Sequence, residues 1–439
     1  MPELTIRNFS CIQSASFAIK RLNVIIGPQG SGKSVTTKLV YFFADLFQGS
    51  LRHAEDGLSL SDYKKALQKS FSIWFPVSAW GNERFNITYL DSQLNVRVMR
   101  RVSKGNLSDD VTITLSKAFE DSYNFVLNLF LEARTASLGS VDRQLARDTL
   151  ELSWRTRDSA RKHFRKSLGA DIIQSQTFIP AGRAFFTSIG RLVAGIEHAG
   201  SLDPATLKFA RIFASWRDQI SAIRPQVADN GDYENLRIRV MTDLFGGIVQ
   251  SKRHSEYIEM RDGRKVPFSS LSSGQQELLP IWYFLDNTMF WDAFFRSRSR
   301  RNDDGPDAEL IYIEEPEAHL FPSSQSLLLD ILVEIVLSGS KYRRLIITTH
   351  SPYIMSELNV LLKAGQLSRR KRRVAELGKI VDRSRWLNIN DVAAVSIEGG
   401  VLCSIIDPDS ELVDARFLDS ISDVTSKRFD SLLDLEDQI

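Results

Sequence analysis

A glycine-rich stretch that follows an apolar run near residue 27 constrains the fold most. Residues 22–26 read LNVII and residues 27–34 read GPQGSGKS, after which a helix-like segment begins. A strand, a loop of the form G-x-x-x-x-G-K-[ST] and a helix together direct backbone N–H groups towards phosphate. Lys33 would add charge at the β and γ phosphates, and the Ser34 hydroxyl is a ligand for Mg²⁺. The predicted nucleotide site comprises Gly27, Pro28, Gln29, Gly30, Ser31, Gly32, Lys33, Ser34 and Val35.

Bulk composition excludes several classes of protein. The chain has 439 residues and a formal net charge of +2, so it can bury a large core and any surface for nucleic acid must be local. Cys11 and Cys403 lack the spacing of a zinc site and suit a reducing compartment. No apolar run reaches the ~18 residues of a membrane span, and the N-terminus reads as a strand instead of a signal peptide. We therefore expect a cytoplasmic protein with no membrane partner.

Hydrophobic periodicity divides the chain into three parts. Residues 1–50 and 251–439 alternate strands with helices, which predicts one α/β unit with a mostly parallel, covered sheet. Residues 51–250 mix strand-like pieces with helices and read as a large, mainly helical insertion. Within it we expect a helical arm at about 116–222, because no heptad pattern continues long enough for a long coiled coil.

Two adjacent acids follow an apolar strand at residues 310–322, LIYIEEPEAHLFP. Ligands bind at the carboxyl ends of strands in open α/β sheets, which is where Glu314 and Glu315 are expected. Glu314 could hold a hydrated Mg²⁺, and Glu315 could accept a proton from an attacking water. A solvated acidic strand end is the alternative for this segment alone.

Two further motifs complete the pattern. Residues 269–280 read SSLSSGQQELLP, where Ser273 and Gln276 have the spacing of a helix capping box. Residues 345–352 read LIITTHSP, an apolar strand that ends in polar residues. His350 is therefore predicted at a strand end, where an imidazole can serve catalysis, although a structural histidine is the alternative.

Together the four motifs resemble those of the ATP-binding-cassette (ABC) ATPases. LSSGQQE, at 271–277, resembles their signature, and His350 matches their switch histidine, which senses the γ-phosphate. The resemblance implies an α/β fold: a P-loop NTPase with an ABC-type ATPase head and a large insertion, using ATP and Mg²⁺. It also implies a homodimer or higher homo-oligomer with ATP between facing heads. Ser272 and Gly274 would then meet the γ-phosphate bound by the partner, with Gln275 beside them, since a helix N-terminus suits an anion.

Motif details favour one branch of that superfamily. Residues 35–270 separate the loop from the signature, which is farther than in a transporter subunit, and Glu314 stands where transporters usually have Asp. IEEPEAHL followed by TTHSP is similar to the overcoming-lysogenization-defect and RecF-like ATPases, relatives of the SMC proteins. Many of these serve bacterial defence against phage or genome maintenance. Some carry a Toprim nuclease, for which the residues after His350 leave no room, so we expect an ATPase without its own nuclease.

The segment 178–183, FIPAGR, resembles one that recurs in the same group. The resemblance implies that Arg183 lines the nucleotide or a junction between lobes; a strand that runs into a turn is the alternative. Gln174 and Gln176 are the candidates for a Q-loop glutamine.

Basic stretches at 155–166, 296–301 and 368–373 leave contact with double-stranded DNA open. They would suit a phosphate backbone, but solvated charged faces look the same, and no aromatic pattern for stacking bases accompanies them. Two functions follow. One is a nucleotide-driven dimerising switch that controls a separate effector protein in anti-phage defence. The other is a DNA-binding repair or recombination ATPase resembling RecF or SMC heads.

Overall fold

The computed structural model describes residues 1–137, 145–169, 172–189, 203–223, 231–252, 255–297, 308–337, 342–370, 374–414 and 426–432. The strands are β1 (Glu3–Phe9), β2 (Ile12–Ala18), β3 (Leu22–Ile26), β4 (Asn86–Asp91), β5 (Leu94–Ser103), β6 (Asn106–Leu115), β7 (Ile173–Ile179), β8 (Gly247–Lys252), β9 (Ser255–Met260), β10 (Lys265–Pro267), β11 (Ala308–Glu314), β12 (Tyr342–Thr349), β13 (Val392–Glu398), β14 (Val401–Ser404), β15 (Ile406–Asp407) and β16 (Leu412–Val413).

Helices connect many of these strands along the chain. They are α1 (Lys33–Ala44), α2 (Leu46–Glu55), α3 (Leu60–Trp74), α4 (Lys117–Ser137), α5 (Leu145–Leu168), α6 (Ala184–Ile189), α7 (Pro204–Ile223), α8 (Gly231–Phe245), α9 (Ser273–Ser297), α10 (Pro322–Leu332), α11 (Pro352–Arg369) and α12 (Val374–Ile380). A π-helical turn, Val333–Leu337, continues α10, so the hydrogen-bonding pattern of this helix changes part-way.

An eleven-stranded sheet organises the fold, in the order β6-β5-β4-β1-β2-β14-β13-β3-β12-β11-β7. From β13 to β7 all neighbours are parallel. Strand β3 is buried throughout, and its side chains alternate between two cores: Val24 packs in one and Ile25 in the other. Four of its five side chains are apolar, as a parallel strand covered on both faces requires, and the buried Asn23 amide donates to the Leu345 carbonyl oxygen of β12 at 3.0 Å. The predicted α/β class, a P-loop NTPase with an ABC-type head, is confirmed.

The other half of the sheet is mainly antiparallel and takes strands from the predicted insertion. Strand β1 pairs with both β2 and β4, and β4 to β6 form a meander within residues 86–115. Strand β7, also from the segment 51–250, lies at the far edge beside β11. The sheet thus crosses the expected boundaries at 50 and 250, because strands β4 and β7 of that segment pair with β1 and β11, which lie outside it. The domain bounds themselves stay a prediction.

Helices α4 and α5 pack on each other within the helical arm expected at about 116–222. Phe125 and His163 stack between them with ring centroids 3.9 Å apart. No helix in the described ranges is both long and apolar enough to cross a membrane. Of the basic stretches, residues 298–301 and 371–373 lie outside the described residues.

Candidate functional site

The glycine-rich loop joins β3 to α1 at the carboxyl end of the parallel sheet. Gly32 is the residue before the helix and has a φ of 108°, a backbone conformation that favours glycine. A methyl group at Gly27 would lie 2.6 Å from the Ile397 carbonyl oxygen of β13, so only glycine fits there. The loop is thereby held against the sheet with the first turn of α1 open to a ligand, as phosphate binding requires.

Lys33 lies almost buried inside this loop. Its Nζ donates to the carbonyl oxygens of Gly27 at 2.7 Å and Pro28 at 2.9 Å. Burial lowers the pKa of Lys33, while the nearby carboxylates of Glu315, Glu317 and Glu314 oppose that shift. The ammonium group is therefore positioned between the loop and an acidic cluster, where it can be shared with phosphate oxygens.

Glu314 ends β11 and faces the loop. Its side chain lies close to that of Ser34, and its Oε2 accepts from the Ala181 backbone N–H at 3.4 Å. Burial raises the pKa of the Glu314 carboxyl, and the nearby Ser34 side chain acts the other way. Its Oε1 is buried and has no hydrogen-bond partner within the described part of the chain.

The pairing of Ser34 with Glu314 fits the magnesium site that the motifs imply. A buried carboxylate oxygen without a partner is costly unless a ligand satisfies it. In the described ranges, no cluster of three His, Cys, Asp or Glu side chains forms a complete metal cage. Mg²⁺ commonly uses one or two protein ligands plus phosphate oxygens and water, so the hydroxyl and the carboxylate suffice.

Glu315 and His350, which the sequence predicts to be catalytic, lie next to each other. His350 Nε2 lies 3.3 Å from Glu315 Oε1, and the two side chains are 36% and 38% exposed. Glu315 has a φ of 44°, unusual for a residue other than glycine, and its N–H donates to the Thr348 carbonyl oxygen at 2.9 Å. Such backbone strain persists only where the surroundings enforce it. Here it turns the Glu315 carboxylate towards the end of β12.

A third acid, Glu317, supports this pair and was not identified from the sequence. Its Oε1 accepts from the Thr349 hydroxyl at 2.8 Å and from the His350 backbone N–H at 2.6 Å. It thereby joins the loop after β11 to the end of β12 and holds the backbone of His350 in place. The available signal was the repeated acid in EEPEAH, but nothing in the spacing distinguishes a positioning acid from a solvated one.

The signature segment forms the exposed start of α9. Ser272 Oγ accepts from the Gln275 N–H at 3.3 Å, and Gln275 Oε1 accepts from the Ser272 N–H at 3.2 Å. The capping box is therefore Ser272 with Gln275, one residue earlier than the expected Ser273 with Gln276, because α9 begins at Ser273. Ser272 and Gln275 make these bonds within the turn, so whether the signature meets a partner's phosphate stays a prediction.

The remaining predicted residues fall in two places. Arg183 is completely buried in the turn between β7 and α6, and its role at the nucleotide or at a junction between lobes stays a prediction. Gln176 donates to the Tyr41 carbonyl oxygen at 2.9 Å and accepts from the Tyr312 hydroxyl at 3.2 Å, within β7 and under α1. Gln174, two residues earlier, also lies inside β7. Neither glutamine is at the strand end where the motifs gather.

Comparison with known proteins supports the same assignment. Residues 194–355 match the family model of the AAA ATPase domain, a range that holds the signature, the acidic pair and His350. The predicted resemblance to ABC-type and SMC-like ATPases is confirmed. No curated protein matches the chain by sequence.

Three solved structures are similar to the chain over 92% of its length. An SMC head bound to the C-terminal winged-helix domain of ScpA has 13% identity, is covered over 96% and gives a TM-score of 0.39. The SMC head domain from Thermotoga maritima has 14% identity, 97% coverage and a TM-score of 0.34. An ATP-binding cassette of an ABC transporter in its ADP conformation has 12% identity, 90% coverage and a TM-score of 0.30. Because these scores are below 0.5, the fold assignment rests on the strand order and the loop.

Proposed function

We propose that this chain binds and hydrolyses ATP and that two copies pair around the nucleotide. The observation that carries the proposal is the convergence of Lys33, Glu314, Glu315 and His350 at the carboxyl ends of β3, β11 and β12. The loop N–H groups and Lys33 would hold the phosphates. Ser34 and Glu314 would hold Mg²⁺, which supplies positive charge to the transferred phosphoryl group.

Glu315 and His350 would act on the attacking water. The Glu315 carboxylate is half-exposed and has His350 Nε2 at 3.3 Å, so it can accept the water proton while the imidazole orients the same water towards the γ-phosphate. Glu317 keeps the backbone of His350 in place through two hydrogen bonds. Lys33 and the loop N–H groups stabilise the charge that develops on the phosphate oxygens.

Exposed aromatic side chains next to the catalytic residues support pairing between heads. Phe321, at the end of the loop that follows Glu315, is 74% exposed, and Tyr353, in the first turn after His350, is 45% exposed. Large apolar side chains at the rim of a site are typical of surfaces that become buried in a complex. The exposed Ser272 turn would approach the nucleotide of the second copy. We therefore propose a homodimer that forms with ATP.

Replacing Phe321 by serine is expected to weaken the ATP-dependent dimer about tenfold, because one aromatic anchor of the pairing surface is lost. Sedimentation velocity with ATP, in a background that cannot hydrolyse it, measures the change. Trp154→Ser is the control, since Trp154 is an aromatic side chain that is 70% exposed on α5. Equal dimerisation of the Phe321 variant and the wild type would contradict a pairing surface at this rim.

A nucleotide-controlled switch acting on a separate effector, in a role such as anti-phage defence, accounts for these features better than a DNA clamp. Three basic residues of α5 are paired with acids: Arg155 with Glu151, Arg157 with Glu55, and Lys162 with Asp158. Such paired cations offer less free charge to a phosphate backbone.

ATP turnover with and without double-stranded DNA, at two salt concentrations, separates the two functions. The switch predicts a rate that DNA leaves unchanged. DNA stimulation that disappears at high salt would favour the repair ATPase. Affinity capture of the ATP-loaded chain from its own host should then retain one stoichiometric protein that is released with ADP, and the loss of that nucleotide dependence would contradict control of an effector.

A further inference from the structure

Arg183 connects α9, the helix that begins at the signature segment, to the loop 314–320, which contains Glu315, within one chain. It lies in the turn between β7 and α6, and its side chain has no exposed surface. Its Nε donates to the Glu277 carbonyl oxygen at 3.0 Å and lies 3.5 Å from the Glu277 carboxylate. One terminal nitrogen donates to the carbonyl oxygens of Glu314 at 2.8 Å and Pro180 at 3.3 Å. The other donates to those of Glu315 at 3.2 Å and Pro316 at 3.3 Å.

A second contact, between α6 and α9, depends on a proline within α9. Pro280 has no N–H, so the carbonyl oxygen four residues earlier, that of Gln276, lacks its helical donor. The Thr187 hydroxyl of α6 donates to that oxygen at 2.9 Å. The first turn of α9 is therefore held from outside by Arg183 and Thr187, both in the segment that follows β7, instead of by its own helix alone.

A third contact joins the two ends directly. A methyl group at Gly274 would lie 2.7 Å from the His319 carbonyl oxygen, so the start of α9 rests against the loop that follows Glu315. His319 itself has a φ of 59°. The start of α9, the turn at Arg183 and the loop 314–320 thus form one packed block in which a shift of one part displaces the others.

From these contacts we infer that Arg183 is a positioning residue that transmits the placement of the signature turn to the backbone of Glu315. The inference rests on the proposed function and assigns a route by which a second copy, seated on Ser272, sets the catalytic glutamate in this copy. The planar guanidinium suits the task because its five N–H groups diverge in a fixed fork. A lysine would keep the charge but could not hold carbonyl groups of both segments in one geometry.

The test is a double-mutant cycle on the hydrolysis rate. Ser272→Ala alters the exposed turn, and Arg183→Lys alters the connection. If Arg183 carries the coupling, each single variant lowers kcat about tenfold with KM for ATP nearly unchanged, and the double variant is hardly slower than either one. Losses that multiply would overturn the inference, because a residue that merely stabilises the fold acts independently of Ser272.

A second variant covers the case in which Arg183→Lys does not fold. Thr187→Val keeps the size of the side chain and removes only the hydroxyl that satisfies the Gln276 carbonyl oxygen. The same cycle with Ser272→Ala is expected to be non-additive, and multiplied losses would again overturn the inference. A wild type that hydrolyses ATP and is slowed by Ser272→Ala keeps the proposed function intact whichever result the cycle gives. An inactive wild type would contradict the proposed function itself.

Discussion

Replacing Glu315 by glutamine is expected to slow ATP turnover by ~10²–10⁴-fold while ATP binding is retained. The amide has the size of the carboxylate and can remain beside His350 Nε2, 3.3 Å away in the wild type, but it cannot accept a proton from water. Because the phosphate loop and Glu314 are unchanged, the nucleotide should still bind and the ATP-bound pair should accumulate. Steady-state phosphate release and equilibrium binding of a fluorescent ATP analogue measure the two quantities.

Glu83→Gln provides the matched control for that variant, since Glu83 is exposed and lies between α3 and β4. It should hydrolyse ATP at the wild-type rate. Glu314→Gln offers a further comparison: its defect should show as a weaker dependence on Mg²⁺, since Glu314 contacts Ser34 instead of His350. Unchanged turnover in the Glu315 variant would remove this residue as the general base.

Replacing Lys33 by alanine is expected to weaken ATP binding by about 100-fold and to abolish measurable hydrolysis. The substitution removes the only lysine within the loop motif 27–34. It also leaves the Gly27 and Pro28 carbonyl oxygens without the donor that holds them at 2.7 and 2.9 Å. Both effects act on the loop that cradles phosphate, so binding falls together with the chemical step. Isothermal titration with ATP and Mg²⁺ measures the affinity.

Lys65→Ala is the control for the lysine variant. Lys65 has a side chain that is 73% exposed on α3 and pairs with its helical neighbour Asp62. This variant should bind ATP as the wild type does, since exposed ion pairs contribute little to stability. Wild-type affinity in the Lys33 variant would mean that the nucleotide is held elsewhere, and the proposed site would be wrong.

Most residues of the candidate site can be predicted from local sequence patterns. The strand β3, the loop and α1 follow one another in sequence, so their geometry could be anticipated from Gly27 to Ser34 alone. Glu314, Glu315 and His350 were found because an apolar run that stops at a polar residue indicates a strand end. The carboxyl ends of parallel strands then bring such residues together.

The features of the site and sheet that the sequence does not predict depend on contacts between residues that are distant in the sequence. The role of Glu317 appears only once β12 lies beside β11, because its two donors come from Thr349 and His350. Thr187 matters only because Pro280 frees a carbonyl oxygen next to it. The strands of residues 86–115 were placed in an insertion because sequence spacing shows that strands exist and does not show which edge they join.

The pairing of β3 has a consequence for synthesis of the protein. This strand is among the first made, yet its two neighbours are Tyr342–Thr349 and Val392–Glu398. A nascent chain must therefore reach residue 398 before the strand that carries the phosphate loop has both partners. Non-local parallel pairing closes slowly, and until then Leu22–Ile26 is an unpaired apolar edge open to aggregation. A chain halted just after His350 would contain every motif of the site and still lack β13, the strand whose Ile397 carbonyl oxygen lies against Gly27.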